Sequence, residues 1–169
     1  TMLAGLRLVV SKPLLFALVL FMVLGSSSGT LLYNQQAAVV GAMQLSSAER
    51  TSYFAGIDLG VNLVALVTQL FLTRALLTRF GIAPVLLIPV FLILAGLGSL
   101  VLWFSAGLLA IVQVVTRGLS FSFVKPARES LFTLVDRESR YKAKNFIDTA
   151  VYRGSDMTTS WSYFGLVSL

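Results

Sequence analysis

Apolar residues along this chain fall into long runs separated by short polar, glycine- or proline-bearing joints. The pattern predicts helices α1 over 13–43, α2 over 47–80, α3 over 84–104, α4 over 108–124 and α5 over 143–169, with a charged cytoplasmic loop over 125–144. A bilayer-crossing helix needs about 20 mainly apolar residues, so the pattern reads as one all-α integral membrane domain, 1–169, with about five transmembrane helices.

Polar positions recur within these runs at helical spacing. In α1 the first half is lipid-compatible, but Ser26, Thr30, Tyr33 and Asn34 share one face of the second half. That face either bonds neighbouring helices or lines a solute path. In α2, Ser46 or Ser47 is the N-cap with Glu49 in the first turn, and Asp58, Asn62, Gln69 and Thr73 form one stripe. A lone acid there must find a partner or protonate, which makes Asp58 either a functional group or half of a structural ion pair. Arg74, Arg79 and Gly81 end α2. The uncharged α3 starts at Pro84 and is kinked at Pro89. Its Gly96, Gly98 and Ser99 permit close helix contact, and it is otherwise lipid-facing.

In α4, Gln113, Arg117 and Ser120 share a face. Arg117 either snorkels to the surface or pairs with Asp58, Asp148 or Asp156. Lys125-Pro126 is expected to break or kink α4. Beyond the charged turn 136–144, Asp148, Tyr152 and Asp156 recur every fourth residue of α5, and Arg153 can reach Asp156 three residues on. The stretch 125–156 thus returns charge to membrane depth, where ionisable groups are expensive and face a protein interior or water. It is the expected control point.

Composition agrees with the pattern. Of 169 residues, 57% are hydrophobic and 12% charged, against about 25% charged in a soluble domain. There is no cysteine and no histidine, so disulfides, thiol or imidazole catalysis and Cys or His metal sites are excluded. No cofactor, metal site or nucleophile-plus-base arrangement is visible, and the chain does not read as an enzyme. The +6 net charge fits topology-setting loops better than nucleic acid. Arg7 and Lys12 lie before α1, Glu49 and Arg50 cancel, Arg74 and Arg79 follow α2, and 125–144 holds six positive and three negative residues. That alternation places the N-terminus in the cytoplasm. No cleavable signal peptide is expected.

Tyr33-Asn34-Gln35-Gln36, AERTSYFAGIDLGVN, QLFLTRALLTRFGI, KPARESLFTLV and RYKAKNFIDTAVYRGSD together resemble the later half of major facilitator-type transporters. The nearest branch is that related to the nucleotide transporters, the ATP/ADP carriers of plastids and intracellular bacteria. The most specific segment runs from Pro126 to Thr149. The resemblance implies a twelve-helix fold of which this chain supplies the seventh to eleventh helices, half of a major facilitator-like bundle lacking its last. It implies alternating access around a midplane site, a bacterial inner membrane, a nucleotide or other organic anion as substrate, and the other transporter half or further membrane subunits as partners besides lipid. Tyr33, Asn34, Asp58, Asn62, Gln69, Arg117, Asp148, Tyr152, Arg153 and Asp156 are the candidate path residues. Arg153 stands where the carriers would place a basic residue, but Asp156 nearby weakens phosphate attraction, and no P-loop is present. The alternative is a transporter-derived, non-catalytic subunit of a larger membrane complex.

Overall fold

The computed structural model describes residues 7, 9–133, 141 and 144–168. The fold is all-helical, with no strand among the described residues. The helices are α1 Pro13–Ala42, α2 Ser47–Phe80, α3 Ile82–Leu102, α4 Ala106–Phe132 and α5 over 144–167. Among the described residues four helices, rather than the five expected, are long and apolar enough to cross a bilayer. At 1.5 Å per residue, α3, the shortest of the four, is about 32 Å long, a match for a hydrocarbon core of about 30 Å. Helix α5 is long enough at about 36 Å, but Lys144, Asp148, Arg153 and Asp156 make it too polar to join them. The four apolar helices define a membrane-embedded protein.

Local chemistry sets the joints. Ser46 caps α2 in a reciprocal box: its Oγ accepts from the Glu49 N–H at 3.3 Å, and its own N–H donates to Glu49 Oε2 at 2.8 Å. Gly81 separates α2 from α3 at φ +79°, a region that favours glycine. Ser105 caps α4 by accepting from the Leu108 N–H at 3.1 Å. Helix α3 starts two residues before the expected Pro84, which sits in its first turn, and it runs unbroken past the buried Pro89.

The expected break at Lys125-Pro126 is absent. Helix α4 instead widens into a π-helical turn at Ser120–Val124 and continues through Lys125–Phe132. The first part of the expected loop is therefore helix. The rest of the charged turn, at 136–140, 142 and 143, lies outside the described residues. The widening explains how proline is tolerated. The Lys125 N–H reaches back five residues to the Ser120 carbonyl, and Pro126 has no N–H for the Ser122 carbonyl one turn behind it. Two side chains of α2 serve the vacated acceptors. Thr73 Oγ1 lies 3.1 Å from Ser122 O and equally 3.1 Å from Thr68 O of its own helix, and Gln69 Nε2 donates to Phe121 O at 3.3 Å. Helix α2 has its own π-helical turn at the same place, Thr68–Thr73.

Two compact units form: Thr1–Leu31 with Arg128–Leu169, and Leu32–Ala127. In the first, Leu15, Leu18 and Met22 of α1 bury against Phe132 and Ile147. In the second, α2 and α4 lie parallel and interlock through glycine. Val114 sits 3.2 Å from where a Gly60 Cβ would be, and Val64 sits 2.6 Å from where a Gly118 Cβ would be. Each helix thus offers a glycine to the other's valine, four residues from its own. Gly96 of α3 receives Val112 of α4 in the same way, at 2.8 Å, whereas Gly98 meets nothing within 4 Å.

Candidate functional site

The polar stripe of α2 faces α4, and the structure shows what it meets. Asp58 pairs with Arg117, Oδ1 to Nη1 at 3.0 Å. Gln69 and Thr73 hold the opened carbonyls of the α4 π turn, as described above. Of the three acids open to Arg117, the structure selects Asp58. Both members lie about 17 Å along their helices, and Gly60–Val114 and Gly118–Val64 flank them. The pair is not enclosed by its unit: the Arg117 side chain is 36% exposed and that of Asp58 is 59% exposed. Asn62, one turn beyond Asp58, is also exposed.

At the start of the same unit, Tyr33 is exposed and its ring lies 6.3 Å from that of Phe54, while Asn34 is half-buried. The sequence reading missed the residue that anchors this end. Gln36 is fully buried and donates through Nε2 to the Tyr53 hydroxyl, while its Oε1 is buried without a hydrogen-bond partner. Gln113 Oε1 in α4 is in the same position. Gln113, alone among apolar neighbours, stood out in the sequence and was placed on a face with Arg117, whereas Gln36 lies in the polar run Asn34-Gln35-Gln36 and is not distinguished from it.

In the other unit, α1 and α5 meet through a polar seam. Asp156 Oδ1 accepts from Ser26 Oγ and from Thr30 Oγ1, the latter at 2.7 Å. Beside it, Ser27 Oγ lies 3.0 Å from Ser155 Oγ and accepts from Thr159 Oγ1 at 3.0 Å. Ser155, itself buried, also donates to the Val23 carbonyl at 3.2 Å. Ser26 and Thr30 were expected on one face and are. The expected Arg153–Asp156 pair is not formed: Arg153 is exposed, and the hydroxyls of α1 occupy the carboxylate. Asp148 goes elsewhere, accepting from Arg128 Nη1 at 3.2 Å. It sits within a third π-helical turn, Ile147–Val151; Tyr152 is exposed.

Arg128 was not singled out from sequence because it lies in a run of charges. Its side chain is only 18% exposed, it approaches Met22 Sδ at 3.8 Å and Glu129 at 3.7 Å, and its Nε is buried without a partner. Lys144 Nζ completes the group, 2.7 Å from Glu129. Among the described residues no group of three or more acidic side chains is placed to hold a metal.

Comparison with protein-family models, with curated proteins and with solved structures gave no match.

Proposed function

We propose that this chain is part of a secondary membrane transporter working by alternating access, with an organic anion such as a nucleotide as its solute. The observation that carries the reading is the Asp58–Arg117 pair. An arginine at the centre of a lipid-facing helix costs roughly 3 kcal/mol even on lenient scales. An ion pair this deep and this open on an apolar pair of helices is stable only where that face meets water or other polar protein. A wet face at mid-depth is what a solute path requires. The resemblance of 126–149 to the nucleotide-carrier branch supports the anion, which Arg117 would attract as a bidentate donor.

The test is uptake of labelled nucleotide into proteoliposomes holding this chain together with the helices that complete its bundle. Arg117→Ala and Arg117→Lys should each lower uptake roughly tenfold or more, while the variant proteins still incorporate. Uptake that is absent in the unaltered protein, or unchanged by both substitutions, overturns the proposal.

A further inference from the structure

We infer that the α1–α5 seam is a binding site for a small alkali cation, Na⁺ or Li⁺, with Asp156 as its charged ligand. The first ground is the donor set. Asp156, Ser26 and Thr30 bring a carboxylate and two hydroxyl oxygens to one point, and Ser27, Ser155 and Thr159 bring three more hydroxyls beside it. The set is all oxygen, with no nitrogen or sulfur, which suits a hard cation.

The second ground is independent of that geometry. Asp58 and Asp148 each have an arginine partner, and Glu129 has Lys144. Among the described residues, no cation pairs with Asp156. Ser26 and Thr30 lie about 20 and 26 Å along α1, well into an apolar helix, and a carboxylate there requires a counter-charge or a proton. One carboxylate balances a monovalent ion and leaves a divalent ion in excess. The hydroxyls are free to change roles. Ser and Thr in a helix can donate to the carbonyl four residues back, as Ser28 does to Leu24 at 2.8 Å and Thr158 does to Gly154 at 2.9 Å. Ser26 and Thr30, turned likewise, would present lone pairs to the ion.

Binding is read without any solute being moved, so this inference and the transport proposal can fail separately. The measurement is the thermal unfolding midpoint of the purified protein in detergent, in NaCl, LiCl, KCl or choline chloride at equal ionic strength, at a pH well above the ordinary carboxylate range. Na⁺ and Li⁺ should raise the midpoint in a saturable way and choline should not. Thr30→Val and Ser26→Ala should weaken that response, and Asp156→Asn should remove it. If Asp156→Asn does not fold, the two hydroxyl variants carry the test. Equal midpoints in all four salts overturn the inference, as does a Na⁺ response that all three variants retain. A midpoint that instead rises as the pH is lowered, with no choice among cations, also overturns it.

Discussion

At the scale of single residues, the Asp58–Arg117 pair makes a sharp energetic claim. Removing one member leaves the other charged and uncompensated, which is worse than removing both. Asp58→Asn and Arg117→Gln should each destabilise the protein more than the double variant does. The cycle should return a coupling of about 0.5–3 kcal/mol, measured by unfolding in detergent. Equal and additive losses would mean that water screens the two side chains from each other. Asp58 was legible because it is the single acid in a long apolar run. Arg128, more enclosed than Arg117, was not, because neighbouring charges disguise it. The Arg153–Asp156 pair was a fair local inference from spacing, but it loses to hydroxyls delivered by a helix more than 120 residues away in sequence. Distant partners of that kind leave no mark in a local pattern.

At the scale of helices, the account of Pro126 can be tested by restoring what proline removes. Thr73→Val should cost about 1 kcal/mol in the unaltered protein, because the Ser122 carbonyl loses a donor. In a Pro126→Ala background the backbone N–H returns and the same change should cost close to nothing. A persistent cost would assign the Thr73 hydroxyl to the Thr68 carbonyl, which lies at the same 3.1 Å. The glycine seats give a second test. Gly118→Ala places a methyl group 2.6 Å from Val64 Cγ1 and 3.3 Å from the Val61 carbonyl. It should destabilise by about 1–3 kcal/mol, and Val64→Ala should recover part of that loss. Gly98→Ala, with open space around it, should be nearly silent. Helix existence, the Ser46 cap and the Gly81 stop were readable from sequence, because capping and glycine geometry are local rules. The three π turns were not, since one extra residue per turn alters neither composition nor hydropathy. They account for the largest difference between expectation and structure, the unbroken α4.

At the scale of the molecule, the surface is the guide. Phe71, Val101, Leu102 and Trp103 are each more than two-thirds exposed, an apolar exterior that only lipid or further protein can cover. Trp103 directly follows α3, where an aromatic side chain suits the headgroup level. The chain has no cysteine, so single-cysteine labelling needs no prior substitutions. Cysteines at Leu45 and Phe104 should react with a membrane-impermeant reagent from one side of the bilayer, and one at Arg79 from the other. Labelling of all three from the same side would show that α2 and α3 do not cross. Membrane class was open to composition, and the four long apolar helices to the pattern of apolar runs. The number of crossings contributed by the last helix was not, because Asp148, Arg153 and Asp156 give it the length of a span without the hydropathy.

The bulge at Ile147–Val151 also sets a rule for how this gene could tolerate insertions and deletions. A helix with a surplus residue there regains ordinary winding if one codon is lost, for instance that of Ala150, and everything beyond keeps its place around the axis, because the wide turn had already absorbed the extra residue. Such a deletion would leave the helix intact and the composition almost unaltered. It would leave Asp156 beside Ser26 and Thr30, whereas losing a codon from the regular winding that follows, for instance that of Gly154, would turn Asp156 by about 100° and abolish a contact in which neither partner had been changed.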